Sequence, residues 1–451
     1  MFESMGRGKP PPPVRLENQL HYRVRFAGQG VPSPHGERTD LRRGSVRGLM
    51  AKTKEKVGLW MIGASGGVGT TIAVGLEAIR KGLTPPTGLI TETAPFTKLG
   101  LTPLAHWVVG GHEIRRMTIS QAAAELQQTS ALFGSELLAR CKSWLRQCDR
   151  NVRDGTVANC GTTITKMADR PGAKRKASAA TIVARLTKDI RDFQKRNKLD
   201  RVVVLNVSST EPPFSIGAMH RKWSSLSKAL DKRAASPLPA SSLYALAAIE
   251  AGAIYINFTP CIGIDIPALR ERADACGTPY MGCDGKTGET LMKSVLAPMF
   301  PARNLNVMSW VGHNIFGNRD GLVLDDPKNK SAKTKSKDHL VGQMLGYKPK
   351  TLVSIEYIES MGDWKTAWDH IHFEGFLNTK MALQFIWQGC DSILAAPLAI
   401  DLARFAAHSH ARGESGALKH LAGFFKSPMD VQEQGFARQY ETLLKYAQNA
   451  R

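Results

Sequence analysis

"WMIGASGGVGTT" spans residues 60–71 and places three glycines, Gly63, Gly66 and Gly69, at even spacing directly behind an apolar run. A glycine-rich turn between a strand and a helix binds phosphate, because the first helical amides are unpaired and carry the positive end of the helix dipole. Two ligands suit such a turn. A nucleoside triphosphate loop needs a lysine for the β- and γ-phosphates. In loops written KGGVGKT that lysine would fall at Ser65 or Thr70, and neither is Lys. A dinucleotide loop needs none, since small residues let a pyrophosphate approach the backbone. Gly63, Ser65, Gly66, Gly67, Val68, Gly69 and Thr70 are therefore read as a cofactor loop. The G-x-x-G-x-x-G spacing leaves a P-loop variant and a plain structural turn as alternatives.

The 451 residues are 42% hydrophobic and 22% charged, the composition of a globular chain of two or three domains. No apolar run approaches the roughly 18 residues of a membrane span, and no segment has the order of a secretory signal, so a cytoplasmic protein is expected. The seven cysteines show no CxxC or Cys/His ligand spacing and read as reduced thiols. The net charge of +22 raises the question of nucleic acid. The basic residues are scattered in short runs such as "GAKRKAS" (172–178) without interleaved aromatics, so no nucleic-acid partner is expected. Residues 1–49 carry nine Lys and Arg, four Asp and Glu, and the run "KPPPPVR" without apolar periodicity. They read as a disordered basic tail.

From Val57 the pattern is strand, glycine loop, helix (70–81), then a second apolar segment, "TGLITET", as in a βαβ unit. Helical periodicity fills 118–148 and 176–198. "DRVVVLNVSSTEPP" (200–213) is a buried parallel strand running into Asn206, Ser208, Ser209, Thr210 and Glu211. Residues just past the carboxyl end of such a strand line the ligand crevice of an open α/β sheet, although Ser, Thr and Glu there also suit a helix cap. "AGAIYINFTP" (251–260) repeats the form and ends at Asn257. A third strand gives out at Gly282, and Asp284 and Lys286 precede Thr287, Gly288, Glu289 and Thr290 at the start of an apolar helix that suits a phosphate monoester.

This last segment, "GCDGKTGETLMKS" (282–294), resembles the G-D-D-x-K-S-G-Q-T-K-x-K-S motif of the myo-inositol-1-phosphate synthase family, archaeal-type branch. The glycine loop, "NVSSTEP" and "INFTP" recur there in the same order. So do "VGHNIFGNRDG" (311–321), "AKTKSK" (332–337), "GDWKTAWD" (362–369) and "CDSILAAPLAIDLARF" (390–405). The chain departs from the family motif at Cys283, Gly285, Glu289 and Leu291. The resemblance implies an α/β fold: a Rossmann-like NAD-binding domain over 50–265, an inserted α+β catalytic and oligomerisation domain over 266–385, and a return to the first domain over 386–451.

It further implies that D-glucose 6-phosphate is converted to 1L-myo-inositol 1-phosphate. NAD oxidises C5, enolisation and aldol closure follow, and the same cofactor is reduced back. Lys286, Lys365, Lys333 and Lys337 are then the catalytic ammonium groups, with Asp284, Asp320 and Asp363 orienting them. Asn206, Ser208, Ser209, Thr210, Glu211 and Asn257 join the glycine loop at the cofactor. Thr287, Gly288, Glu289, Thr290 and Lys293 hold the substrate phosphate. A divalent cation near Asp320, or ammonium, and a homotetramer built through the middle domain are also implied. Glu92 ends the expected second strand, though late for the acid that binds the adenine ribose. Another NAD-dependent oxidoreductase or dehydratase of phosphorylated sugars, or a nucleotide-sensing binding protein, is the alternative.

Overall fold

The structure, a computed structural model, describes residues 55–232, 235–325 and 341–450. β1 (Val57–Ile62) is buried at every position, which is why it reads as an unbroken apolar run rather than an alternating one. It pairs in parallel with β2 (Trp107–Glu113) on one side and β4 (Arg201–Asn206) on the other. β3 (Val152–Asp154) extends the β2 side; β5 (Ile254–Asn257) and β6 (Pro279–Gly282) extend the β4 side. The chain thus leaves β1 in one direction and later resumes on its opposite edge. That reversal opens a crevice at the carboxyl ends of β1 and β4. The sheet runs past residue 265 to take in β6.

A second sheet follows: β7 (Asn306–Phe316), β8 (Lys350–Tyr357), β9 (Trp364–Glu374) and β10 (Lys380–Cys390), ordered β10-β9-β7-β8. One face is packed: Phe300, Val307, Trp310, Val341, Leu345 and Ile371 form a core distinct from that of the parallel sheet. The helix Asp391–Ala411 then carries the chain back, packing beside the glycine-loop helix Gly67–Arg80, and β11 (Gly416–Ala417) closes the far edge against β6. Among the described residues no helix is long and apolar enough to cross a membrane.

"TGLITET" is not the second strand. Gly88 takes a left-handed φ of +93°, Ile90–Glu92 is a single 3-10 turn, and the Ile90 and Thr91 amides donate to Asp401 of the return helix at 2.9 and 3.1 Å. Only a short apolar piece sits between Pro86 and Glu92, too little to cross the sheet. The continuous 118–148 periodicity is two helices, Ile119–Ser130 and Ser135–Arg150, separated where Ala131 turns left-handed at φ 53°.

The last turn of the return helix carries His408 and His410, and His420 stacks on Tyr446 with ring centroids 3.7 Å apart. Burial lowers the pKa of all three, that of His420 to about 4. An unfolded histidine takes its proton near 6.5, so between that pH and about 4 the unfolded chain binds more protons and stability falls with pH. Asp401 and Glu211, raised to about 6 and about 7 by burial, act in the opposite sense. The comparison that isolates the histidine is therefore wild type against His420→Phe. Urea midpoints measured from pH 7 to 4.5 should fall less steeply in the variant.

Candidate functional site

The crevice at the strand ends is a cavity of about 510 Å³ walled by both sheets and by the N-terminus of the return helix. Gly63, Gly66, Gly67 and Val68 form one side. Gly63 sits at φ +85°, and a Cβ there would stand 3.1 Å from the Ser208 backbone, so both conformation and the approach of β4 demand glycine. The helix Gly67–Arg80 opens without a side-chain cap and without an acidic residue in its first turn. Its first amides therefore face the cavity with their partial positive charge unopposed, which suits a pyrophosphate. Gly69 does not reach the cavity; its Cβ would lie 2.6 Å from Ala64 O, so it serves packing of the helix on its own loop. Ser65 and Thr70 also lie behind the surface. The Ser65 amide donates to Glu113 Oε2 at 3.0 Å and its hydroxyl to Met117 O at 2.8 Å.

Ser208, Ser209, Thr210 and Glu211 line the wall past β4. Glu211 also caps another helix, accepting from the Ser241 amide at 2.9 Å and from the Ser241 hydroxyl, and burial lifts its pKa to about 7. Asn206 and Asn257 are fully buried beneath this wall. Asn206 donates to Asn257 Oδ1 at 3.1 Å, and Asn257 donates to Cys261 O at 2.6 Å; the pair pins the strand ends instead of facing the cavity.

Two ammonium groups meet carboxylates at the cavity surface. Lys365, on β9, lies 3.8 Å from Asp391 Oδ1 and 5.2 Å from the Phe316 ring centroid. Lys426 donates to Asp284 Oδ1 at 2.9 Å, while the buried Asp284 Oδ2 has no partner. Asp320 Oδ1 accepts from the Thr210 amide and hydroxyl at 3.4 and 3.3 Å. Asp363 lines the cavity but is engaged: it accepts from the Ser392 amide at 2.9 Å and the Asn318 side chain at 3.1 Å, and burial raises its pKa.

Other expected site residues lie elsewhere. Lys286 turns out of the cavity and donates to Gln439 Oε1 at 2.6 Å. Of the phosphate set, Thr287 lines the cavity, whereas Gly288, Glu289, Thr290 and Lys293 are buried behind it. Lys293 pairs with Glu289 at 2.5 Å and Asp369 at 3.3 Å, in the space that Gly312 leaves by lacking a side chain. Lys333 and Lys337 fall outside the described residues. Glu92 pairs with Arg404 at 2.5 Å. The acid at the end of the true second strand is Glu113, a residue missed from sequence although "WVVGGHE" (107–113) has a strand's apolar start and an acidic end. Lys426 was missed because "FFKSP" (424–428) carries no spacing that marks it. Among the described residues no three His, Cys, Asp or Glu side chains cluster as metal ligands.

A dinucleotide-type glycine loop opening onto a chamber with two lysine–carboxylate pairs defines an α/β protein built to hold a nucleotide cofactor beside a proton-moving site. The comparisons narrow this class. The sequence profile described as myo-inositol-1-phosphate synthase, an NAD-binding family, matches residues 57–447, and the chain belongs to that family. It is 34% identical over 398 residues to inositol-3-phosphate synthase 1 of Bacteroides thetaiotaomicron, covering 83% of this chain and 90% of the relative. It is 29% identical to inositol-3-phosphate synthase 1 of Oryza sativa, over 78% of this chain and 74% of the relative. The solved inositol-3-phosphate synthase of Caenorhabditis elegans shares the fold, with a TM-score of 0.79 at 21% identity over 88% of this chain and 86% of that one.

Gly66 and Gly69 separate cofactor binding from folding. Gly66→Val would push a branched side chain toward the cavity from a Cβ already 3.1 Å from Gly63 O. Its NAD dissociation constant should rise at least about tenfold, roughly 1.4 kcal/mol. Gly69→Val should instead lower the melting temperature. Calorimetry with NAD and with Mg-ATP on wild type and Gly66→Val checks this, and tight Mg-dependent ATP binding by wild type would identify the loop as a P-loop variant.

Proposed function

We propose that the protein converts D-glucose 6-phosphate to 1L-myo-inositol 1-phosphate, as an inositol-3-phosphate synthase. The observation that carries this reading is that one cavity is lined both by the uncapped glycine-loop helix and by Lys365 and Lys426 with their carboxylates. Gly63, Gly66, Gly67 and Val68 would hold the cofactor's pyrophosphate, with Ser208, Ser209 and Thr210 lining the cavity past β4. NAD, when bound, supplies reversible hydride exchange at C5, so the overall conversion is redox-neutral.

The protein's own part is charge and proton management. Cyclisation requires an enolate, and ammonium groups placed in a partly dry cavity stabilise an oxyanion far better than water does. Lys426 and Lys365 are the described residues suited to that task, and a lysine that releases its proton there also serves as base. Asp284 and Asp391 fix the two ammonium groups, and Thr287, the one residue of its set at the cavity wall among the described residues, would meet the phosphate. Lys333 and Lys337 join the cationic set by family resemblance. The same resemblance assigns NAD binding to 50–265 and 386–451 and catalysis to 266–385. The cavity collects residues from all three segments. A divalent cation near Asp320 belongs to the same proposal, and no step depends on it.

Purified protein given glucose 6-phosphate and NAD should form a periodate-labile inositol phosphate without NADH build-up. Accumulating NADH would indicate an ordinary dehydrogenase; cofactor binding without product would indicate a nucleotide-sensing protein. Lys426→Ala should lower turnover at least about a hundredfold, within the usual range for acid–base and electrostatic groups, with little change in NAD affinity.

The outward face of the second sheet supports a homotetramer assembled through this region. Ile386 and Leu352 are 69% and 53% exposed at opposite edges of that face, with Ile315 and a Trp368 ring stacked on His313 on the strands between them. An apolar sheet face of this kind is normally covered. Ile386→Glu should shift light-scattering mass from tetramer to smaller species.

A further inference from the structure

Lys286 belongs to the substrate-loop motif, yet its side chain is directed away from the cavity and is 1% exposed. In an extended segment residues 284 and 286 would face the same way. Asp284, however, takes a left-handed φ of 62°, which breaks the alternation. Asp284 enters the cavity while Lys286 reaches Gln439 Oε1 on the helix Phe436–Asn449, at 2.6 Å. Gln439 in turn donates to Glu433 O at 2.6 Å. Burial lowers the Lys286 pKa to about 7, opposed by the charge of Glu433. Burying an ammonium group forfeits hydration, so an apolar side chain would serve packing alone better.

The backbone around Lys286 suggests a use for it. Its amide donates to Phe424 O at 2.7 Å, the Lys426 amide donates to Asp284 O at 2.7 Å, and the Cys283 amide donates to Ser427 O at 2.8 Å. This antiparallel lacing brings the Lys426 ammonium to Asp284. The laced segment is continuous with the 3-10 turn Lys419–Phe424, which packs on the helix Phe436–Asn449. A Cβ on Gly423 would lie 3.5 Å from the Cβ of Gln439. Turn, segment and helix are thus packed together, and the Lys286–Gln439 contact ties the helix directly to the substrate loop, which the segment holds through its backbone.

We propose that Lys286 is a positioning residue: through Gln439 it locks the C-terminal helix against the substrate loop and so keeps Lys426 in register beside Asp284 in the cavity. The turnover readout rests on the synthase reading; the exchange readout does not. Lys286→Met leaves the buried Gln439 carbonyl unpaired, whereas the double variant Lys286→Met/Gln439→Leu removes that orphan and leaves only the part-buried Glu433 O, which Gln439 bonded, to find solvent, the smaller loss.

Lys286→Met should lower kcat at least about tenfold, leave NAD affinity within about twofold, and speed amide hydrogen exchange across 424–427 and 436–449. The double variant should recover most of both kcat and protection. Wild-type kcat and protection in Lys286→Met would overturn the proposal. So would equal inactivity of single and double variants with wild-type protection, since Lys286 would then act in the chemistry itself. Should the single variant not fold, the double variant decides: recovered turnover supports positioning, and an inactive folded protein overturns it. If wild type makes no inositol phosphate, the synthase reading falls, and exchange alone judges the lock: loss in the single variant with recovery in the double supports it, and unchanged protection in the single overturns it.

Discussion

The buried carboxylate of Asp363 ties together parts of the chain that are far apart in sequence. It accepts from the Ser392 amide and hydroxyl at 2.9 and 3.0 Å, from Asn318 at 3.1 Å and from the Cys390 thiol at 2.6 Å. Its own amide donates to Ser130 Oγ at 2.9 Å. The start of β9, the segment after β7, the return helix and the helix Ile119–Ser130 therefore converge on a single residue. A carboxylate at a helix N-terminus is favoured by the dipole, which offsets part of what burial costs it. Gly67 belongs to the same junction, because a Cβ there would collide with Ser392 Oγ. The second sheet and the start of the return helix thus approach the cofactor loop closely at the cavity edge.

The lysines around the cavity have different tasks. Lys293 is held between Glu289 and Asp369, and Lys286 is spent on Gln439, so both work inside the protein. Lys365 and Lys426 remain at the cavity surface, each beside one carboxylate. An ammonium group flanked by two buried carboxylates is neutralised and has little to offer a ligand. One flanked by a single carboxylate at a cavity wall still presents positive charge to it. Counting lysines in a motif cannot tell these cases apart, because the distinction is made by residues such as Asp369, at the end of a different motif, and Gln439, outside all of them.

The same reasoning explains how much could be read in advance. The buried strands at Val57, Arg201 and Ile254 were legible because parallel strands covered on both faces are continuous apolar runs ending in polar clusters. The glycine loop, Ser208 to Glu211, Asp284, Asp320, Asp363 and Lys365 were legible through spacing and resemblance, and all reach the cavity except Ser65, Gly69 and Thr70 of the loop. The second strand was misplaced because "LIT" (89–91) is as apolar as a strand but is held by Asp401, some three hundred residues on, a tertiary contact with no local trace. Lys286 was assigned to the site by resemblance alone, and a motif does not show that a left-handed Asp284 turns the lysine two residues on toward Gln439 instead of the cavity. Lys426 arrives through backbone pairing between segments some 140 residues apart, which no spacing rule encodes.

Glu113 shows how the loop is prepared for a ligand. Its Oε2 accepts from Ser65 N at 3.0 Å while Oε1 accepts from the amides of Ile114 and Arg115 at 2.9 and 3.1 Å, and Arg115 donates back to Ser65 O at 2.9 Å. The turn between β1 and its helix is therefore held by the end of β2. Preorganisation of this kind reduces the ordering cost of binding. It also decides which donors remain. With the Ser65 amide committed to Glu113 and the Gly66 amide to Gly63 O at 2.9 Å, the amides that open the helix at Gly67 and Val68 are left to meet an anion. Those two residues, absent from the regular glycine spacing, carry the amides that the loop turns toward the cavity.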